Sequence, residues 1–226
     1  MRLFAAIVPP REVLDEVRRV VQSVNEPLPA APAGRGGLRR RLSGRGSHGG
    51  AHAAGRDVAT KPQPATAETT PELAAVDPAR MYLPLTGFGN VTLGDSVKLI
   101  TVLREAVATW PRPALTFAGG AALEFPGDES VWVKIDGDVE GLKTIGRGVP
   151  QAVQRVGYFV DRRQFRPWLP VGTITDATTA PYLERLVAAL DEFRGEWWTA
   201  EAVSVMKWLP DAEREEYEEM ERLPLA

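Results

Sequence analysis

The chain has 226 residues, 44% of them hydrophobic and 25% charged, which is typical of one large soluble domain or two small lobes. It contains no cysteine, so disulfides, thiol nucleophiles and cysteine-ligated zinc are excluded. The net charge of −3 gives no overall basic character of the kind found in many nucleic-acid-binding proteins. The early apolar run at residues 3–8 is too short for a membrane helix or a secretory signal. We therefore expect a cytoplasmic protein without a membrane anchor.

A strand, Arg2 to Val8, and a helix are the first predicted elements, because valines and leucines from Val13 to Val24 recur with the period of one helical face. Residues 27–69 break this pattern. Gly, Ala, Pro and Arg dominate the segment and leave little apolar surface to bury, so we expect a disordered basic insertion. Its arginines form a candidate basic patch for RNA or another anionic surface: Arg35, Arg39, Arg40, Arg41 and Arg45. A solvated loop without a partner is the alternative.

The chain's only histidines, His48 and His52, also fall in this insertion. A metal site needs further ligands and a preformed geometry, and glycine-rich sequence supplies neither. We therefore expect no metal site and no cofactor.

Regular structure is predicted to resume with a strand at residues 81–86, a turn at 87–90 and a helix from Thr92 to about Trp110. The predicted buried face of that helix consists of Leu93, Val97, Ile100, Leu103 and Val107. Three strands are predicted next, at residues 114–117, 121–125 and 131–135.

A helical stretch at residues 139–156 follows, and we expect Gly146, Gly148 and Pro150 to break it in two. A strand at 165–171, a turn through Thr175 and Asp176, and a helix ending at Arg194 come after it. Two closing strands are predicted at about 199–208 and 217–223.

Two tetrapeptides repeat the pattern aromatic-Leu-Pro-aliphatic: residues 82–85 (YLPL) and 168–171 (WLPV). Each lies on a predicted strand that precedes a turn, an amphipathic helix and another strand. The repeat predicts two similar lobes whose tetrapeptides face each other across a cleft.

The chain resembles the 2H phosphoesterase superfamily, and within it the bacterial RNA 2′,3′-cyclic phosphodiesterases, also called 2′-5′ RNA ligases. Four stretches carry the resemblance: RLFAAIVPP at residues 2–10, YLPLTGFGNV at 82–91, FRPWLPV at 165–171 and YEEMERLPL at 217–225. It implies an α+β fold of two pseudo-symmetric lobes, each an antiparallel sheet with helices packed outside, around a central cleft.

Members of this family carry His-x-Thr twice, one histidine acting as general base and the other as general acid, while the threonines hold phosphate oxygens. Here Tyr82 and Trp168 replace the histidines, and Pro84 and Pro170 replace the threonines. An arginine expected after the second motif falls at about Thr173. Tyrosine titrates near ~10, indole is not a usable base and proline has no hydroxyl, so we expect no catalysis.

Instead, we expect the cleft to bind a nucleotide or an RNA end, using Tyr82, Trp168, Arg166, Thr86 and Thr173. An active phosphodiesterase or RNA end-processing enzyme is one alternative, with Tyr82 as proton donor beside Arg166, and Asp161 or Asp176 as base. The other alternative is a protein-interaction module that uses the basic insertion and the acidic tail as opposing patches, with the cleft filled by its own rings. We expect a monomer.

Overall fold

The computed structural model describes residues 1–25, 72–125, 128–158, 160, 165–209 and 216–226, which belong to one compact unit. The predicted basic insertion at 27–69, with its patch arginines and both histidines, lies outside the described residues, as does Asp161. The strands are β1 (Arg2–Ile7), β2 (Leu73–Ala75), β3 (Leu83–Asn90), β4 (Ala114–Phe125), β5 (Asp128–Gly137), β6 (Trp168–Ile174), β7 (Trp198–Thr199), β8 (Ala202–Leu209) and β9 (Glu216–Pro224). The helices are α1 (Arg11–Asn25), α2 (Leu93–Val107), α3 (Val139–Gln154) and α4 (Ala180–Glu192).

Two antiparallel sheets form the two lobes of an α+β fold, as the resemblance implied. The first sheet has the order β3-β1-β8-β9 and the second the order β2-β6-β5-β4-β7. Helices α2 and α3 pack on the first sheet, and α1 and α4 on the second. Each tetrapeptide strand, β3 and β6, is followed in the chain by a helix of its own lobe.

The helices that follow the tetrapeptide strands start in the same way. The Thr92 side chain accepts a hydrogen bond from the Asp95 amide at the start of α2, and Thr179 accepts one from the Tyr182 amide at the start of α4. A threonine in this position satisfies one of the free amides of the first helical turn. The repeat seen in the sequence therefore extends to the local structure.

The buried face of α2 differs from the predicted one. Leu99, Leu103 and Val107 are fully buried, whereas Leu93 and Val97 are 70% and 61% exposed. The helix is rotated so that Leu99 and Ser96 face the core in place of Leu93 and Val97.

Helix α3 is continuous, so the predicted break is wrong. Gly146 lies against the Phe165 ring and Gly148 against the Trp110 ring, where a side chain would collide with either ring. Both glycines therefore serve close packing within the helix. Pro150 is accommodated inside the same helix.

Three strand boundaries are corrected as well. Residues 87–90 continue β3 and pair with β1 where a turn was predicted. The predicted strands 114–117 and 121–125 are one strand, β4, with a register shift between Phe117 and Gly120. The predicted strand 199–208 is divided between β7 in the second sheet and β8 in the first. Within the described residues, no helix is long and apolar enough to span a membrane.

Candidate functional site

The first tetrapeptide directs Pro84 away from the helices of its lobe. Arg104 of α2 donates a hydrogen bond of 2.8 Å to Glu221, which pairs with Val205 across the sheet, so this face lies toward α2. Val205 in turn pairs with Ala5. Since successive side chains on a strand alternate between faces, Ala6 and its partner Pro84 lie on the uncovered face.

The second tetrapeptide has the equivalent orientation. Gly120 lies against the α4 backbone at Val187, and it pairs with Val133, which pairs with Leu169. The face that bears Leu169 is therefore covered by α4. Trp168 and Pro170, its neighbours on β6, lie on the opposite face. The two uncovered faces form the walls of the cleft.

Both prolines lie beside irregularities in strand pairing. Pro84 is on β3, an edge strand, next to a register shift between Ala5 and Ala6. Pro170 pairs with Trp132 next to a shift between Val131 and Trp132. Proline cannot donate to a strand ladder, which explains its position at a strand edge and at a bulge.

Tyr82 belongs to a cluster of three rings on the wall formed by the first sheet. Its ring centroid is 5.1 Å from that of Phe4 and 5.5 Å from that of Tyr217, and the latter two are 5.2 Å apart. Edge contacts of this kind stabilise aromatic clusters beyond the area that they bury. Tyr82 is accordingly fixed by its own lobe and is half-buried.

On the opposite wall, Trp168 is half-buried and the Arg166 guanidinium carbon lies 5.6 Å from its ring centroid. Lys134 of β5 is the direct cross-strand partner of Trp168, and Trp132 is the partner of Pro170. Thr173, which is exposed, pairs with Ser130 on the same face. Two of the predicted cleft residues, Arg166 and Trp168, are thus in contact on this wall, while Thr173 lies further along the same strand.

Two other candidate residues, Thr86 and Asp176, do not lie on the cleft walls. Thr86 is only 8% exposed and pairs with Ala5, whose side chain faces α2, so it lies on the helix-covered side of the first sheet. Asp176 is exposed in a turn in which the Thr178 amide donates a 2.9 Å hydrogen bond to the Thr175 carbonyl. Such turn positions favour aspartate for local reasons.

Lys134 and Trp132 are wall residues that the sequence did not identify as ligand contacts. The strict alternation of Val131, Val133 and Ile135 places both on the opposite face of β5. The alternation in the sequence therefore indicated which face bears Lys134 and Trp132. Only the pairing of β5 with β6 shows that Lys134 lies beside Trp168.

Away from the cleft walls, a cavity of about 390 Å³ opens beside Met81 and Val171, which neighbour Tyr82 and Pro170 in sequence but point to the other face. Arg18 and Gln22 of α1 line it from the outside. It therefore lies on the helix-covered side of the second sheet. Within the described ranges, no three His, Asp or Glu side chains are grouped so that they could hold a metal ion.

Solved structures share this fold at low sequence identity. The chain matches E. coli LigT complexed with 3′-AMP with a TM-score of 0.62 and 16% identity, covering 99% of this chain and 97% of LigT. It matches the protein TT0787 of Thermus thermophilus with a TM-score of 0.61 and 14% identity, covering 100% and 98% of the two chains. A structure described as a phosphoesterase matches with a TM-score of 0.59 and 15% identity, covering 99% and 98%.

LigT has also been crystallised with NADP+, ATP and phosphate. No protein-family model and no curated protein matches the sequence. The two-lobed α+β fold that the resemblance implied is therefore confirmed.

Proposed function

We propose that this protein binds a nucleotide, free or at the end of an RNA, in the cleft between its two sheets and leaves the phosphodiester intact. The observation that carries the proposal is the placement of the two degenerate motifs on the uncovered faces of β3 and β6. We take these motifs to occupy the positions of the family's catalytic residues without keeping their chemistry. LigT, which shares the fold, is described in complex with 3′-AMP, ATP and NADP+.

Acid-base catalysis of phosphodiester cleavage needs two groups that exchange protons near neutral pH, each contributing roughly 10²–10⁴-fold. Trp168 offers an indole, which has a single N–H and no accessible lone pair. Tyr82 is held in its ring cluster, and a phenol titrates near ~10. The prolines remove both threonine hydroxyls. Binding without turnover follows from these four side chains.

Trp168 is the residue that we assign to base recognition. It is half-buried on the uncovered face and Arg166 already lies over its ring. Stacking of a base on an aromatic side chain contributes about 1–3 kcal/mol and tolerates any base. We expect the Tyr82 cluster to form the facing wall.

The test is a titration of tryptophan fluorescence with 3′-AMP, together with a turnover assay on 2′,3′-cyclic AMP. We expect saturable binding that Trp168→Ala weakens by about tenfold or more, the equivalent of one lost stacking contact. Trp197→Ala is the control, because Trp197 is 67% exposed and lies against Gly137 at the end of β5. We expect no turnover in the unmodified protein.

Turnover of the cyclic nucleotide would contradict the proposal and favour an enzyme that uses other residues. No response to any nucleotide would favour a filled cleft in a protein-interaction module. Equal losses from Trp168→Ala and Trp197→Ala would place the ligand outside the cleft.

A further inference from the structure

We propose that the anion-binding centre of this cleft lies at Lys134, which takes the phosphate of the nucleotide, and not at the four motif positions. The inference rests on the proposed function and adds the residue that would recognise the charged part of the ligand. It starts from the environment of Lys134 on β5.

Lys134 is half-buried on the cleft wall, directly across from Trp168 on β6. Its stem lies along Gly119, since a Cβ built there would be 3.4 Å from the Lys134 Cδ. Gly119 has a φ of +90°, a conformation that keeps this position free of a side chain. The lysine stem is thereby supported by backbone, and its ammonium remains on the face shared with Trp168.

The Asp191 Oδ1 lies 3.5 Å from the same built Cβ of Gly119, but the described carboxylates near Lys134 accept backbone hydrogen bonds and form no ion pair with it. Asp191 accepts a hydrogen bond of 2.8 Å from the Gly120 amide, and Asp136, further along β5, accepts one of 2.7 Å from the Gly137 amide. Lys134 forms no ion pair within the described part of the chain, whereas Lys143 and Lys207 each pair with a glutamate. A half-buried ammonium that forms no ion pair is a favourable partner for an anionic ligand.

Two cations therefore flank one indole. Arg166 lies over the Trp168 ring, and Lys134 lies beside it with a Cβ separation typical of cross-strand pairs, about 4.5–5.5 Å. A base stacked on or near Trp168 would place its phosphate within the reach of a lysine side chain. The prolines that replace the family's threonines do not prevent this arrangement, because Lys134 is on a different strand.

The class of ligand follows from this arrangement. It combines a planar ring with a phosphate, and the phosphate supplies the contact that distinguishes a nucleotide from a nucleoside. Lys134 should therefore affect the binding of 3′-AMP much more than the binding of adenosine.

The experiment is isothermal titration calorimetry of the full chain with 3′-AMP and with adenosine, for the unmodified protein, Lys134→Gln and Lys207→Gln. Lys207 is a matched control, since it is a strand lysine with a side chain 33% exposed that Glu218 already engages at 3.4 Å. Circular dichroism of each variant verifies that the fold is retained.

We expect Lys134→Gln to weaken 3′-AMP binding by about tenfold or more, as for a lost hydrogen bond between charged groups, and to leave adenosine binding unchanged. We expect Lys207→Gln to change neither. Raising the salt concentration should reduce the difference between the unmodified protein and Lys134→Gln.

Equal affinity of Lys134→Gln and the unmodified protein for 3′-AMP would overturn the assignment of Lys134 while leaving the nucleotide-binding function intact. Equal losses for 3′-AMP and adenosine would also overturn it, because the residue would then act on the shape of the cleft. If the unmodified protein binds neither compound, the proposed function fails and the inference fails with it.

Discussion

A half-buried tyrosine, Tyr158, and a fully buried one, Tyr182, differ in the hydrogen-bond partner of the hydroxyl. Tyr158 donates a hydrogen bond of 2.8 Å to the Asp95 carbonyl. Tyr182 is fully buried, and its hydroxyl has no hydrogen-bond partner within the described residues. A buried polar group without a partner loses its hydration and gains no hydrogen bond in exchange, so the two hydroxyls should contribute to stability with opposite signs.

We expect Tyr158→Phe to lower the free energy of unfolding by about 1 kcal/mol, the net contribution of one hydrogen bond. Tyr182→Phe keeps the ring and removes only the unpaired hydroxyl, so it should leave that free energy unchanged or raise it. Urea denaturation at neutral pH measures both variants, and each serves as the control for the other. A loss from Tyr182→Phe as large as that from Tyr158→Phe would show that the Tyr182 hydroxyl has a partner in solution.

The same pair predicts the alkaline limit of stability. Burial raises the pKa of Tyr182, with the nearby Glu72 adding to the effect and Arg185 opposing it, and burial and Asp95 raise the pKa of Tyr158. In the unfolded chain tyrosine titrates near ~10, so above that pH the unfolded state loses protons first and stability falls. Below it this contribution is constant. Tyr182→Phe should reduce the slope of stability against pH in that alkaline range.

At the scale of elements, two helical glycines, one in α2 and one in α3, differ in the space around them. Gly94 in the first turn of α2 has no atom within 4 Å of the place where a side chain would start, while Gly148 of α3 lies against the Trp110 ring. The same substitution at the two sites should therefore have opposite effects. Sequence pattern alone treats both positions as unfavourable for a helix.

We expect Gly94→Ala to stabilise the protein by about 0.5 kcal/mol, since alanine reduces the entropy of the unfolded chain at an open site. Gly148→Ala should destabilise it by about 1–3 kcal/mol, because the added methyl group displaces the Trp110 ring. Thermal unfolding of both variants tests the pair. Stabilisation by Gly148→Ala would show that the ring moves aside at little cost.

The elements also show how far the sequence predicts the structure. Helical periodicity correctly predicted α1 and α4, and the Thr92 cap fixed the start of α2. The predicted break in α3 was wrong. Gly146 allows the helix to pack against Phe165, and this contact with a residue distant in sequence could not be inferred from the local pattern. Similarly, the division of residues 198–209 between two sheets depends on strand pairing that no local pattern encodes.

At the scale of the whole molecule, the repeat predicted the two lobes and the fold confirmed them, while the proposed site draws on residues that the sequence indicated only in part. Tyr82 and Trp168 were identified from their motifs. Lys134 was not, because its significance arises from pairing with Trp168 across β5 and β6. Strand pairing brings together residues that are distant in sequence, and one sequence does not show which strands pair.

The retained orientation of both motifs leads to a test by restoration. In the variant Tyr82→His, Pro84→Thr, Trp168→His and Pro170→Thr, the imidazoles and hydroxyls would return to the uncovered faces of both sheets. We expect this variant to hydrolyse 2′,3′-cyclic AMP while the unmodified protein does not, because the acid and the base each contribute roughly 10²–10⁴-fold.

Variants restored in only one half are the control and should remain far less active, since each lacks one member of the acid-base pair. Circular dichroism must show the folded spectrum for all of them. A folded four-site variant without activity would mean that the two walls no longer hold the motifs at a catalytic separation.

The order of strands in the first sheet has a consequence for how the chain folds. β1 lies between β3 and β8, and Ala5 pairs with Val205. β1 therefore acquires one neighbour, β3, early in synthesis, and its other side stays unpaired until β8 has been made. Contacts between residues distant in sequence slow folding. Until β8 pairs with it, the apolar strand β1 is exposed to association with other chains. Assembly of this lobe is thus a late event that depends on β8.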